Sequence, residues 1–354
     1  MTPLARLLIA QIEATGPITL ADYMAACLSH PEHGYYVTKD PLGAAGDFTT
    51  APEISQMFGE LLGLSLAQAW LDQGAPNRIA LAELGPGRGT LMQDVLRATR
   101  AIPKFHDAIS LHLVESSPAL RAEQERRLGE AEPQWHDTVD TLPDAPLFLV
   151  ANEFFDALPI RQFQREGRGW RETVVGVRDG QLVAGRTEPI PLQALAHRLP
   201  DTADGDIVET NAPARAVAAS IGARIAEFGG AALIADYGDW RSKGDTFQAV
   251  RDHETTDPFD QPGVADLTAH VDFEAIAEAA APAAHAPMAL QGVFLERLGI
   301  TARAQALARG LQGEALASHI AAHRRLTHPD EMGSLFKILA LHPHAAPPPP
   351  GVSS

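Results

Sequence analysis

One short stretch, Ile79 to Leu91, constrains the fold of this chain more than any other. It reads IALAELGPGRGTL, in which an apolar run ends on Glu83 and glycines follow at the alternate positions Gly85, Gly87 and Gly89. Glycine permits a positive φ and lets the backbone approach a ligand that a Cβ would exclude. The helical pattern that follows, MQDVLRATR, would direct its free N-terminal amides into this turn. The stretch therefore predicts a strand, a ligand-binding glycine turn and a helix.

The spacing of the glycines separates two classes of cofactor. Dinucleotide-binding turns follow G-x-G-x-x-G, whereas here the third glycine comes one residue earlier and Glu83 precedes the first by two. This E-x-G-x-G-x-G pattern resembles motif I of class I S-adenosylmethionine (SAM) methyltransferases. SAM carries a sulfonium and an ammonium in place of phosphates, which suits an acidic residue beside the turn. A dinucleotide oxidoreductase is the most distant functional alternative. The alternative without a binding function is an ordinary tight turn that contains glycines by chance.

Polar side chains also stand at the ends of the next apolar runs. ISLHLVE ends on Glu115, the short run QWHD ends on Asp137, and APLFLVANE ends on Asn152 and Glu153. In doubly wound sheets the carboxyl ends of parallel strands line the ligand crevice, and an acid at the second strand binds a ribose diol. Glu83, Glu115, Asp137 and Asn152 therefore join the three glycines as predicted cofactor-site residues. For Asn152 and Glu153 a solvated strand end is the alternative.

Composition excludes several classes of protein. The chain has 354 residues and a formal net charge of −17, which argues against a nucleic-acid groove because phosphate binding needs clustered Lys and Arg. No apolar run reaches the ~18 residues of a membrane helix. The single cysteine, Cys27, excludes an internal disulfide. With no recognisable N-terminal signal, the sequence predicts a cytoplasmic protein without membrane insertion. His253 and His270 have no close partners for a metal site, so no metal is predicted.

The order of the patterns predicts four regions. Residues 1–75 contain helices over 3–15, 19–29 and 53–73, with a glycine- and aromatic-rich loop, 34–52, expected to be a mobile lid. Residues 76–238 form the ligand-binding core, with a β-hairpin insert near 160–185 at the Asp179-Gly180 turn and a return to the wound sheet at IVETN, 207–211. Residues 239–342 form an irregular insert, a helix over 301–327 and a last strand. The tail, 343–354, is low in complexity and expected to be disordered.

Several blocks together resemble one family. GDFTTAPEISQMFGE, ELGPGRGTLMQD, ANEFFDALPIRQF, DLTAHVDF, QGVFLERLGI and MGSLFKILAL are similar to the MidA/NDUFAF-type family over roughly residues 4–342. The resemblance implies a class I SAM methyltransferase: an α/β fold with a doubly wound Rossmann-like sheet, an N-terminal helical extension and inserts. Eukaryotic members of this family are mitochondrial complex I assembly factors that look like protein arginine methyltransferases. The resemblance therefore implies an arginine of a protein substrate, possibly a complex I subunit, as the methyl acceptor.

Three acids suit this chemistry. A guanidinium is cationic, and carboxylates that accept two of its N–H groups orient it and stabilise its charge. Asp47 and Glu53 near the start of the 53–73 helix and Glu153 at the fourth strand are the predicted catalytic residues, although Glu53 could equally be a helix-stabilising acid in a first turn. Two alternatives stay open: a methyltransferase with a small-molecule or different side-chain substrate, and a SAM-binding assembly factor without turnover.

Overall fold

The computed structural model describes residues 1–38, 50–251 and 253–352, and these residues divide into two compact units. The core unit consists of the described residues within Thr49–Phe155, Arg215–Trp240 and Phe273–Ser354. The appended unit consists of those within Met1–Phe48, Asp156–Ala214 and Arg241–Asp272. Each unit combines segments that are distant in sequence, so neither coincides with the predicted regions 1–75, 76–238 and 239–342.

The described chain contains both helices and strands throughout its length. The described helices are α1 Pro3–Thr15, α2 Leu20–Ser29, α3 Tyr35–Thr38, α4 Ala51–Ile54, α5 Gln56–Asp72, α6 Thr90–Thr99, α7 Phe105–Ala108, α8 Pro118–Leu128, α9 Ala212–Phe228, α10 Phe273–Ala279, α11 Gln291–Arg297, α12 Ile300–Ala308, α13 Gly313–Thr327 and α14 Met332–Leu335. The described strands are β1 Ile18–Thr19, β2 Ile79–Leu84, β3 Ile109–Val114, β4 Gln134–His136, β5 Leu147–Asn152, β6 Arg161–Glu166, β7 Gly169–Arg178, β8 Gln181–Arg186, β9 Ile207–Thr210, β10 Gly230–Asp239, β11 Gln248–Arg251, β12 Glu254–Thr256, β13 Asp266–Thr268, β14 Val271–Asp272, β15 Ala284–His285, β16 Ala289–Leu290 and β17 Phe336–His342. Among the described residues, no helix combines the length and the apolar character that spanning a membrane requires.

The core unit is built on a sheet with the strand order β15-β17-β10-β5-β2-β3-β4. The five strands from β4 through β3, β2 and β5 to β10 are parallel to one another, and β17 is antiparallel to β10. The chain moves outward from β2 to β4 on one side and then returns to place β5 on the other side of β2. The order therefore reverses between β2 and β5, which confirms the predicted doubly wound α/β fold.

The central strands are apolar because the sheet is covered on both faces. Every residue of β2 and of β5 is buried, as in parallel sheets, where near-continuous apolar runs replace alternation. Successive side chains point to opposite faces, so Leu81 and Glu83 share one face of β2. Leu81 packs in the same cluster as Phe58 of α5 and Val95 of α6. Glu83 therefore points toward the α5/α6 side of the sheet.

Helices α5 and α6 approach each other closely through glycines. A Cβ at Gly59 would lie 2.7 Å from Asp94 Cβ, and one at Gly63 would lie 2.9 Å from Val95 Cα. The predicted 53–73 helix is interrupted in front of this contact. Ser55 takes an extended conformation, with φ −161°, and its side chain caps α5 by accepting from the Met57 amide at 3.3 Å. Glu53 therefore lies on the separate short helix α4.

The appended unit contains the predicted hairpin. Its larger sheet has the order β1-β7-β6-β9, with β8 paired to β7. Asp179 and Gly180 have φ values of 52° and 74° between the paired residues Arg178 and Gln181, as a type I′ turn requires. The IVETN run departs from the prediction. It forms β9, which pairs antiparallel with β6 in this sheet and not with the parallel sheet of the core unit.

Two further predictions differ from the structure. The predicted 301–327 helix is two helices, α12 and α13, because the chain leaves helical geometry between Ala308 and Gly313. The tail was expected to be disordered, but its described part, 343–352, is packed. The Ser65 hydroxyl donates to the Pro350 carbonyl at 2.7 Å, and Val352 is 3% exposed. The low-complexity composition of this segment therefore does not prevent it from packing on the core unit, where the Val352 side chain is buried.

Candidate active site

The reversal of strand order brings the predicted cofactor residues to one edge of the core sheet. Leu84 of β2 pairs in parallel with Val114 of β3 and with Ala151 of β5. The glycine turn, Gly85–Gly89, follows the first of these strands and Asn152 ends the third. Parallel strands end at the same edge, so their polar termini surround the point where a doubly wound sheet binds its ligand.

All three glycines of the turn need the conformational freedom that glycine provides. Their φ values are 59° at Gly85, 54° at Gly87 and 78° at Gly89. The Gly85 amide donates to the Val114 carbonyl at 3.0 Å, and Gly89 is the N-cap of α6. A Cβ at Gly85 would lie 3.0 Å from Phe154 Cδ2. The backbone path of the turn therefore disfavours any other residue at these three positions.

Glu83 places a buried carboxyl group beneath this turn. It is 3% exposed and lies near the Met92 amide in the first turn of α6. Its Oε2 atom has no hydrogen-bond partner among the described residues. Burial raises its pKa to about 8, and the nearby Glu115 carboxylate adds to this increase. The site thus holds an unsatisfied acceptor that a cationic or N–H group of a ligand would satisfy.

Glu115 lies at the end of β3 in a network of donors. Its Oε1 accepts from the Ser117 amide at 2.8 Å, and its Oε2 accepts from Gln124 Nε2 at 3.4 Å. Burial raises its pKa above the ordinary value. Asp137 lies farther out: its side chain is 81% exposed and forms an ion pair with Arg121 at 2.6 Å. Of the predicted cofactor acids, Asp137 is therefore the one that the described residues leave on the surface.

Asn152 and Glu153 turn the chain away from the sheet. Glu153 has a φ of 50°, and its amide donates to the Ala235 carbonyl at 2.9 Å. The Asn152 Nδ2 group donates to Glu153 Oε1 at 2.9 Å, and the Ala51 amide donates to the same oxygen at 3.3 Å. Asn152 Oδ1 is buried and lacks a partner among the described residues. A left-handed conformation at a non-glycine residue is uncommon and is concentrated at functional sites.

Glu53 lies on the short helix α4, whose first amide donates to Glu153. Glu53 Oε1 accepts from the Thr90 hydroxyl at 2.6 Å, and Arg127 Nη1 donates to that hydroxyl at 2.5 Å. The Glu153 carboxylate binds the amide of Ala51, the first residue of α4, so two predicted catalytic acids converge on one short helix. The third, Asp47, lies outside the described residues, as does most of the predicted lid, 34–52.

The sequence analysis assigned no site role to four residues that support these groups. Asp236 is fully buried at β10 and accepts from the Phe155 amide at 3.0 Å, which anchors the turn after Glu153. Thr90 and Arg127 orient Glu53, and Gln124 contacts Glu115. The position of Thr90 directly after Gly89 was a usable signal. Gln124 and Arg127 had none, because they lie on the polar helix α8 and their partners are distant in sequence.

The residues at this edge fit SAM. The glycine turn gives a ligand close access to the backbone, and the unpaired Glu83 Oε2 suits a donor such as the SAM ammonium. Asn152 Oδ1 is a second unpaired acceptor that could receive an N–H group. A cofactor without phosphate also fits, since the Glu115 carboxylate would repel the pyrophosphate of a dinucleotide.

Comparison with known proteins supports this interpretation. The protein arginine methyltransferase NDUFAF7, mitochondrial, of Xenopus laevis is 38% identical to this chain, over 96% of the chain and 84% of the relative. The human protein of the same name is 36% identical, over 97% and 84%. A crystal structure of a COG1565 superfamily member from Burkholderia thailandensis, bound to S-adenosyl-homocysteine, is 31% identical with a TM-score of 0.82. It covers 99% of this chain and 92% of that one.

The relatives also correct one prediction. The sequence predicted a cytoplasmic location, which is wrong on this comparison because the Xenopus and human relatives are named as mitochondrial proteins. The prediction rested on a lone cysteine and on the lack of a recognisable targeting signal. The absence of such features does not identify a cellular compartment.

The family assignment follows from these findings together. Residues 61–290 match the model of the family described as "Putative S-adenosyl-L-methionine-dependent methyltransferase". This span contains the glycine turn, Glu115 and Glu153. The predicted cofactor and reaction class are confirmed by the family model and by the relative that binds S-adenosyl-homocysteine. The chain belongs to this family of SAM-dependent methyltransferases.

Proposed function

We propose that this methyltransferase transfers methyl groups to an arginine side chain of a protein substrate. The observation that carries the proposal is the convergence of Glu53 and Glu153 on the first residues of α4. A pair of carboxylates held at one short helix suits a guanidinium, which offers five N–H donors in a planar fork. The names of the Xenopus and human relatives, protein arginine methyltransferases, support the same acceptor.

The residues proposed to bind the cofactor lie at the same edge of the core sheet. We propose that Glu83, Glu115 and Asn152 provide polar contacts to SAM, with the backbone of Gly85, Gly87 and Gly89 beside it. Asp137 would contribute from the periphery through its ion pair with Arg121. Bound SAM supplies an electrophilic methyl group on a sulfonium.

The role of the two acids is orientation and charge stabilisation. A guanidinium has a pKa above about 12, so its nitrogens have little lone-pair density for attack on the methyl carbon. Carboxylates on either side align one nitrogen, and an N–CH₃ bond forms as the S–CH₃ bond breaks. The proton that leaves this nitrogen passes to a carboxylate of the pair. Thr90 and Arg127 would keep Glu53 in one orientation during the step, and Asp47 is proposed as a supporting acid.

A subunit of respiratory complex I is the substrate that the family resemblance favours. The test is incubation with labelled SAM and a purified complex I subunit, followed by mass spectrometry of the modified residue. Label on arginine supports the proposal. Label on another residue or on a small molecule contradicts the arginine acceptor, and binding of S-adenosyl-homocysteine without any methylation indicates a SAM-binding assembly factor.

The acids are tested by removal of their charge. We expect Glu153→Gln and Glu53→Gln each to lower methylation by about 100-fold, because the neutral amide retains the shape but does not stabilise a guanidinium. Glu314→Gln is the matched control, since Glu314 is exposed on α13. The Kd of S-adenosyl-homocysteine should stay within a few-fold in all three. Full turnover in both site variants would refute a catalytic role for these acids.

A further inference from the structure

Helix α8 buries a polar side chain where helices normally bury apolar ones. Within the described part of the chain, α8 buries two side chains, Gln124 and Leu128. They are four residues apart and so lie on one face of the helix. Both face the glycine turn, because a Cβ at Gly89 would lie 3.0 Å from Leu128 Cδ1 and 3.7 Å from Gln124 Cγ. The helix therefore packs against the turn through one leucine and one glutamine.

The contacts of Gln124 fix its amide in one orientation. Its Nε2 group donates to the Gly87 carbonyl at 2.8 Å and to Glu115 Oε2 at 3.4 Å. Its Oε1 accepts from Trp135 Nε1 at 2.8 Å. An indole N–H only donates, and a carbonyl or a carboxylate only accepts, so exchanging the amide oxygen and nitrogen would break all three contacts.

Stability alone does not explain this residue. Gln124 is fully buried, and a buried amide costs free energy unless its hydrogen bonds are made. An apolar side chain beside Leu128 would pack without that cost, provided that its neighbours were apolar as well. The groups that Gln124 satisfies are instead the carbonyl of the glycine turn and the acid at the end of β3. Each belongs to the cofactor edge of the sheet.

We propose that Gln124, held by Trp135, is a positioning residue for SAM, acting through the Gly87 carbonyl and the Glu115 carboxylate. The inference rests on the proposed assignment of Glu115 and the glycine turn to the cofactor. Ser117 binds one oxygen of Glu115 and Gln124 the other, so the carboxylate has a fixed orientation before the ligand arrives. A preorganised acceptor binds the ribose hydroxyls without first losing its own rotamer freedom.

The primary test is the affinity of S-adenosyl-homocysteine for the full chain with Gln124→Met, measured by calorimetry. Methionine has a similar length but makes none of the three hydrogen bonds. We expect the Kd to rise about tenfold or more, since hydrogen bonds to charged groups are among the stronger ones. A Kd within twofold of the wild type would overturn the proposal. The acceptor is absent from this measurement, so the result is independent of whether the substrate is an arginine.

A double-mutant cycle separates positioning from general support of the fold. If Gln124 acts through Glu115, Gln124→Met should weaken binding much less in a Glu115→Gln background than in the wild type. Equal fold-losses in the two backgrounds would mean that Gln124 does not act through Glu115, and would overturn the proposal. If wild-type protein fails to bind S-adenosyl-homocysteine at all, the cofactor assignment itself is wrong and the proposal falls with it.

Gln124→Glu provides a second variant with a signature that packing does not produce. It places a second carboxyl group against Glu115, and only its protonated form can donate to that carboxylate. We expect its Kd for S-adenosyl-homocysteine to improve as the pH falls from 8 to about 6, relative to the wild type. A Kd that changes with pH in parallel with the wild type would overturn the proposal.

Discussion

At the scale of single residues, Glu83 couples the cofactor site to pH. Its folded-state pKa of about 8 lies above the ordinary 4.5, so between these values the folded protein binds a proton that the unfolded chain releases. The free energy of unfolding therefore falls as the pH rises from about 4.5 through about 8, with a slope that approaches about 1.4 kcal/mol per pH unit for this one group.

We predict that Glu83→Gln stabilises the ligand-free protein relative to the wild type at pH 9 more than at pH 6. The neutral amide never acquires the buried charge that the wild type acquires as the pH rises. Thermal denaturation of both proteins at the two pH values measures the difference, with the exposed Glu314→Gln as control. A difference between variant and wild type that is the same at both pH values would contradict the raised pKa.

Single residues were predictable from the sequence where their role is local. Gly85, Gly87 and Gly89 have the positive φ values that their spacing implied. Gln124 was not predictable, because its partners lie 37 residues away at Gly87 and 11 residues away at Trp135. A buried glutamine on a polar helix leaves no periodic signal.

At the scale of helices and strands, the contact between α5 and α6 supports both Glu53 and the glycine turn. Helix α5 follows α4, which carries Glu53, and α6 begins directly after Gly89. The two helices can approach because Gly63 has no side chain at their crossing point. A change in this contact would therefore shift both Glu53 and the glycine turn.

We therefore predict that Gly63→Ala destabilises the protein by about 1–3 kcal/mol, because its Cβ would lie 2.9 Å from Val95 Cα and backbone cannot yield as a flexible side chain can. In an open helix the same change would stabilise by roughly 0.5–1 kcal/mol. Denaturant unfolding gives the value. Gly310→Ala is the control, since a Cβ at Gly310 would meet nothing within 4 Å. Equal or greater stability of Gly63→Ala would refute the close contact.

Elements were predictable where periodicity and turn chemistry specify them. Helices α1 and α2, the apolar strands β2 and β5, and the hairpin at Asp179-Gly180 formed as expected. The strand with which β9 pairs was not predictable from the sequence. The short apolar segment of β9 suits either sheet, and its pairing with β6 depends on residues far away in sequence. The break at Ser55 was also missed, since apolar residues stand on both sides of it, at Ile54 and Met57.

At the scale of the whole molecule, connectivity limited prediction most. Each unit is assembled from three segments of the chain. Patterns in a short stretch of sequence do not indicate which distant segments pack together. The described part of the tail shows the same limit. The carbonyls of Gly351 and Val352 accept from Arg297 Nη1, both at 3.3 Å, a contact that local composition cannot predict.

Net charge is the whole-molecule property with the clearest functional consequence. The chain carries a formal charge of −17, and a protein substrate that presents arginine is locally cationic. Long-range attraction between opposite charges accelerates encounter and weakens as salt shortens the Debye length to about 8 Å at physiological ionic strength. We predict that kcat/KM for a basic protein acceptor falls about tenfold between low and high salt. The Kd of zwitterionic S-adenosyl-homocysteine, measured in the same buffers, should change far less. Equal salt dependence of the two quantities would show that salt acts on the fold or the cofactor site and not on the encounter with a basic partner.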